Sequence, residues 1–270
     1  MTPAEGGDWA LFFELHRDLP REGPGDDDTT LRALSMVERA LPDRPAVLDI
    51  GCGPGAQTLV LARAIRGTII AVDKHRPYLD QLSARAKRER LSNRIRTVEA
   101  SMHALPFAPD SFDLVWSEGA VWIAGFDYGL QEWSRLLRSG GFIVVSELAW
   151  VTPTPAPEER EFWSEAYPAM RSHRENVAAA QRLGFEVVGE AAVPHASWFT
   201  EYLGPLEGRL DAMQETYAKD AAILAWLTSQ RREIDVVRRH RGFAYMFYVL
   251  RRRRDEDGAA GMGIEGRNRR

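Results

Sequence analysis

The run Asp49-Ile50-Gly51-Cys52-Gly53-Pro54-Gly55 combines residue types and spacing that suit ligand chemistry. An apolar stretch at residues 47–50 precedes it and a helical pattern from about 56 to 66 follows, so the glycines fall where a buried strand hands over to a helix. Glycine lets the backbone approach a ligand closely, because no Cβ stands in the way. The free N–H groups of the helix start suit an anionic group. Asp49, at the strand end, suits a cationic one. Asp73 follows about 20 residues on, where a carboxylate accepts from both hydroxyls of a ribose. Gly51-Cys52-Gly53-Pro54-Gly55-Ala56 also satisfies the dinucleotide fingerprint with its permitted final Ala. Loop and Asp73 together indicate a nucleoside and leave a nucleotide-dependent oxidoreductase open.

The elements that must position these residues alternate along the chain. Residues 47–50, 68–73, 95–100, 112–117 and 142–148 read as strands, the last entered through Gly140-Gly141. Helices are expected at about 56–66, 77–90 and 128–138. Such alternation means a parallel sheet with helices on both faces. Two later strands, 185–193 and 243–250, bring the total to seven, with helical patterns between them at 206–216 and 221–237. Upstream, the chain to about Asp28 reads as irregular, with an aromatic run (Trp9, Phe12, Phe13) and the breaker-rich stretch 19–25. Asp26 to Thr29 supply caps for a helix in which Leu31, Leu34, Val37 and Leu41 recur at helical spacing, ended by Pro42. From Arg251 onward a disordered tail is expected.

Composition narrows the function classes. The 270 residues, 44% hydrophobic and 27% charged, suffice for one large domain with a real core. A net charge of −4 argues against a nucleic-acid partner. A single cysteine, Cys52, excludes an internal disulfide framework and a cysteine-rich zinc site, and no residue set has metal-ligand spacing. No apolar run approaches the roughly 18 residues of a membrane span. The start Met1-Thr2-Pro3-Ala4-Glu5 lacks the features of a secretory signal, so a cytoplasmic location is the expectation.

Ser101-Met102-His103-Ala104-Leu105-Pro106-Phe107 and Asp110-Ser111-Phe112-Asp113-Leu114-Val115 extend the ordered motifs from Val47 to Glu147. This series resembles the class I methyltransferases that use S-adenosylmethionine (SAM), above all the ubiquinone and menaquinone biosynthesis branch. The flanks Phe12-Phe13-Glu14-Leu15-His16, Leu19-Pro20-Arg21 and Trp116-Ser117-Glu118-Gly119-Ala120 are similar to a narrower bacterial group of stand-alone methyltransferases. The resemblance implies a Rossmann-like α/β fold: a seven-stranded, mostly parallel sheet with an antiparallel last strand. It implies SAM as cofactor and S-adenosylhomocysteine as product. Asp49, Gly51 and Gly53 would hold the methionine portion, with Cys52, Gly55 and Gln57 beside them; Asp73 would hold the ribose next to Lys74. Ser101 and Met102 would line the adenine, and Glu118 and Gly119 would face the methyl-transfer region. The chain then divides into a flap at 1–28, the methyltransferase domain at 29–250 with a helical insertion at about 194–242, and a tail at 251–270.

Methyl transfer from a sulfonium needs mainly proximity and alignment, with one general base where the acceptor must lose a proton. His16 and Glu118 are the candidate bases. A packed role competes for His16, a ligand-positioning one for Glu118, and His195 just past the sixth strand is weaker. Trp122, Trp150, Trp163, Tyr167, Trp198, Phe199 and Tyr202 suit a small aromatic or apolar acceptor, or else they attach the extra helices to the core. A non-catalytic SAM-binding protein is a further alternative, since a fold does not prove a reaction.

Overall fold

The computed structural model describes residues 9–253; expectations for residues 1–8 and for the tail from 254 lie outside the described residues. The strands are β1 (Ala46–Ile50), β2 (Thr68–Asp73), β3 (Ile95–Glu99), β4 (Phe112–Ser117), β5 (Leu137–Trp150), β6 (Phe185–Ala192) and β7 (Phe243–Arg252). They form one sheet in the order β3-β2-β1-β4-β5-β7-β6. The first five pair in parallel, and β7 lies antiparallel between β5 and β6. Strand order reverses between β1 and β4, and ligands of open α/β sheets bind at the strand ends beside such a reversal.

The sheet is covered on both faces, which is why its central strands are almost wholly apolar. Side chains alternate: Val47, Leu114 and Val144 enter one core, while Leu48, Ile50, Val115 and Val145 enter the other. Helices α3 (Ala56–Ala64) and α4 (Arg76–Arg88) follow β1 and β2. The first core also takes in Leu15 of α1 (Trp9–Leu15), Leu34 of α2 (Asp27–Ser35), Leu210 of α9 (Gly204–Thr216) and Ile234 of α10 (Ala221–Arg239). The insertion between β6 and β7 therefore packs on the same face as the N-terminal helices. The second core is closed by α5 (Val121–Ala124), α6 (Phe126–Ser134) and α8 (His173–Arg182); α7 (Pro157–Ala166) adds Phe162 and Trp163 to the first.

Several expectations are corrected. The chain before Asp28 is not wholly irregular: α1 forms because Trp9, Phe12 and Phe13 at i, i+3 and i+4 share one helical face. The helix after it stops at Ser35, and Leu31 is exposed, so the apolar stripe begins at Leu34 rather than Leu31. The helix expected at about 128–138 is α6, which starts earlier at Phe126, just after Gly125 at φ +90° divides it from α5, and stops at Ser134, because residues from Leu137 join β5. Arg251 and Arg252 belong to β7 rather than to a tail. Arg252 caps the Leu137 and Ser134 carbonyls and pairs with Asp110 at 2.9 Å. No helix among the described residues is long and apolar enough to cross a membrane.

Candidate active site

The loop after β1 is fixed from below and beside. Gly51 and Cys52 both donate their N–H to the Val72 carbonyl at 2.9 Å, and Gly53 donates to Asp73 Oδ2 at 2.9 Å. Gly55 caps α3 at φ +86°, where any Cβ would run into Leu82, so glycine is required there twice over. Gly53, at φ +53°, faces Glu22 across the opening. Asp49 lies beneath the loop rather than on its open side. It is fully buried, accepts from Thr58 Oγ1 at 2.6 Å and from Gln57 Nε2 at 3.3 Å, and burial pushes its carboxyl up to about 7.

Above the loop a cleft encloses about 1200 Å³ including its mouth. Gly51, Cys52, Gly53, Gln57, Asp73, Lys74, Ser101, Met102, Glu118 and Gly119 line it; Asp49, Gly55 and His16 do not. Asp73 also accepts the His75 N–H at 2.8 Å; burial raises its pKa, opposed by these two backbone donors. Met102 reaches the cleft from a turn fixed by Trp133, whose Nε1 donates to the Met102 carbonyl at 3.0 Å.

Residues 9–25 close the cleft. Phe13 stacks on His75 at 3.6 Å and 9°, and the Lys74 ammonium sits 4.2 Å over Trp9. Glu22 accepts from the Tyr78 hydroxyl at 2.7 Å, and burial pushes its carboxyl up to about 8. Arg21 binds three carboxylates at once: Glu118 at 3.0 Å, Asp27 at 2.7 Å and Glu201 at 2.9 Å. Burial opposes its charge, and those carboxylates outweigh the opposition. Glu118 also accepts from Thr30 at 3.0 Å and Trp116 Nε1 at 3.2 Å, so three side chains already donate to it; burial still raises its pKa.

His16 is brought away from the cleft. It is 1% exposed, its Nδ1 bonds the Phe12 carbonyl at 2.9 Å, its Nε2 meets the Tyr202 hydroxyl at 3.3 Å, and burial lowers its pKa to about 3. His195 bonds the Val237 carbonyl at 2.7 Å. The aromatic set divides. Trp122, Trp163, Tyr167 and Tyr202 line a second pocket that shares Phe12, Glu22, Gly119 and Trp122 with the cleft. Trp150 and Trp198 instead pack on Phe243. Arg21, Glu22, Phe13 and Tyr78 are among the lining residues to which sequence reading assigns no site role. The similarity of the flanks signals Phe13 and Arg21; no local pattern signals Glu22 or Tyr78.

Residues 47–141 match the family model described as a methyltransferase domain. Similar curated proteins include the methyltransferase YodH of Bacillus subtilis, 33% identical with 48% of this chain and 54% of that protein covered. A malonyl-[acyl-carrier protein] O-methyltransferase of Enterobacter lignolyticus is 32% identical over 57% of this chain and 55% of its own length. A SAM-dependent methyltransferase of Geobacter sulfurreducens, solved with S-adenosylhomocysteine, superposes with a TM-score of 0.75 at 21% identity, covering 90% of this chain and 98% of that one. Residues 47–141 thus carry a methyltransferase domain, and the chain has the fold of solved SAM-dependent methyltransferases. It spans about half the length of the first curated relatives it matches. The fold also serves other chemistry: the [4+2]-cyclase SpnF superposes with a TM-score of 0.71 at 18% identity, covering 94% of this chain and 97% of its own. Among the described residues no group of three or more His, Cys, Asp or Glu is arranged to hold a metal ion.

Proposed function

We propose that the cleft binds SAM and that the protein transfers its methyl group to a small molecule in the adjoining aromatic pocket, leaving S-adenosylhomocysteine. The observation that carries this reading is the shared wall. The cleft built on the glycine loop and Asp73 meets a pocket lined by Trp163, Tyr167 and Tyr202 at Phe12, Glu22, Gly119 and Trp122. Transfer between two bound molecules requires such a junction, because their reacting atoms must meet in line.

The residues present fit SAM. Asp73 keeps lone pairs for ribose hydroxyls beside the two N–H bonds it accepts. Gly51 and Gly53 would lie against the methionine portion, with Gln57 and Cys52 beside it, and Ser101 and Met102 would border the adenine; all six line the cleft. Bound SAM supplies an electrophilic methyl group on a sulfonium. The protein supplies alignment and exclusion of water. Phe13 and Trp9 cover the ribose side next to Lys74, and Arg21 ties this flap to β4 through Glu118 and to the insertion through Glu201. In this reading residues 9–28 are the flap, residues 194–242 complete the acceptor side, and Glu118 is a positioning residue rather than a free base. The aromatic walls favour an aromatic or apolar acceptor. The relatives do not choose its chemistry, since their names include an O-methyltransferase of malonyl-[acyl-carrier protein] and a dimethylglycine N-methyltransferase.

Isothermal calorimetry with SAM, S-adenosylhomocysteine, NADH and NADPH tests the reading. Micromolar binding of the first two and none of the nicotinamides is the expected result. Binding of nicotinamides alone, or of none of the four, overturns it.

A further inference from the structure

Past Trp122 the acceptor side continues into a further cavity whose polar groups serve none of the roles above. Glu147 of β5 is 2% exposed; its Oε1 accepts the Leu148 N–H at 2.8 Å, while its Oε2 has no partner at hydrogen-bonding distance and angle and the Tyr167 hydroxyl leans on the same carboxyl from the cavity wall. Asn176 of α8 is 1% exposed; its Nδ2 donates to the Tyr248 hydroxyl at 3.1 Å and its Oδ1 has no partner. Both side chains line this one cavity, together with Trp122, Phe126 and Tyr167. A buried polar atom without a partner is costly, so two such atoms on one cavity mark where a ligand's polar groups complete the structure. The aromatic walls favour a cation among such donors. Arg171 at the same cavity is paired with Asp127 at 2.7 and 3.2 Å, so its charge is already compensated.

We propose that this cavity anchors a basic amine of the acceptor, which donates to Glu147 Oε2 and Asn176 Oδ1 while its carbon frame lies against Trp122 and Tyr167. The inference deepens the methyltransferase reading and rests on it. Burial pushes the Glu147 carboxyl up to about 8, offset in part by the Leu148 N–H, Tyr167 and Arg171. The other groups acting on it are Tyr245 and Tyr248 of β7. Burial raises the pKa of all three tyrosines, so they stay neutral. Near neutral pH the ligand-free protein therefore holds a protonated Glu147; its proton leaves to solvent as an ammonium binds, and Oε2 of the resulting carboxylate accepts from that ammonium.

The test is calorimetry of 2-phenylethylamine, 2-phenylethanol and phenylacetate, each titrated into protein saturated with S-adenosylhomocysteine. The amine is expected to bind at least about tenfold more tightly than the other two, the scale of one charge-assisted hydrogen bond. Its enthalpy should depend on the buffer's ionisation enthalpy, reporting proton release. Glu147→Gln should remove that release and the preference for the amine. Equal affinity for the three probes, or amine binding without proton release in the unsubstituted protein, overturns the proposal even if Glu147→Gln fails to fold. No amine binding at millimolar concentration, with S-adenosylhomocysteine bound, also overturns it and leaves the methyltransferase reading intact. Failure of S-adenosylhomocysteine itself to bind removes both.

Discussion

Asp73 joins the loop and the cleft: one oxygen accepts the Gly53 N–H and the other the His75 N–H, and the carboxylate still borders the cleft. Asp73→Ala should weaken SAM binding at least about tenfold, because ribose hydroxyls then lose a charged acceptor. The melting temperature should fall by only a few degrees, since the sheet beneath is untouched. Calorimetry and a thermal melt on the same variant check both, and unchanged affinity would refute the ribose assignment. Gly53→Val should block SAM by placing a branched side chain against Glu22 at a left-handed φ that β-branched residues strongly disfavour; a folded variant with normal affinity would sink the loop assignment. At this scale the sequence was informative about placement: Gly51, Gly53 and Asp73, read together from spacing, border one cleft. It was uninformative for His16, whose residue type suits a base and a packed ring equally. Burial separates the two: with its pKa lowered to about 3, this imidazole stays neutral and inside.

Between elements, the decisive contact is Arg21 with Glu118, both side chains 4% exposed. It joins the loop at residues 19–25 to the end of β4, while Asp27 and Glu201 extend the clamp to α2 and to the π-helical turn at residues 199–203 that leads into α9. Replacing Arg21 by Met should strand a buried carboxyl, at a cost on the order of 3–5 kcal/mol. Arg21→Met with Glu118→Gln should recover most of that, because the double variant leaves no buried charge alone. Urea unfolding of the two singles and the double measures the coupling, and additive losses would show that the pair does not act as a unit. This clamp was not legible beforehand, for a physical reason. The β1–loop–α3 signal is local, whereas Arg21 meets Glu118 across 97 positions and Glu201 across 180. Composition at 19–25 marks a loop and carries no information about what the loop covers. The same limit explains Leu31: helical spacing identified the helix, but which part of its stripe faces inward depends on the sheet it meets.

Across the whole molecule, stability should depend on pH in a way set by buried groups rather than by net charge. Burial raises Asp49 to about 7 and Glu22 and Glu147 to about 8. An acid whose folded pKa exceeds its unfolded value holds its proton more tightly when folded. Its contribution is intact below the unfolded value, near 4.5 for Glu, and is lost as pH rises toward the folded one. His16 acts in the opposite sense: lowered from 6.5 to about 3, it makes unfolding take up a proton between those values, so stability rises with pH there and is level above 6.5. The ion-paired Glu89, lowered chiefly by its hydrogen bond from Arg63, acts only below the ordinary carboxylate range. Between about pH 6.5 and 8 the raised carboxyls therefore dominate, and the ligand-free protein should lose stability across that interval. Glu147→Gln removes one of them, replacing a carboxyl that must ionise with an amide that never does. The variant should melt a few degrees above the parent at pH 8, with a difference that shrinks steadily toward pH 5. Thermal melts at half-unit pH steps measure this, and parallel profiles would mean that Glu147 ionises as readily in the folded chain as in the unfolded one.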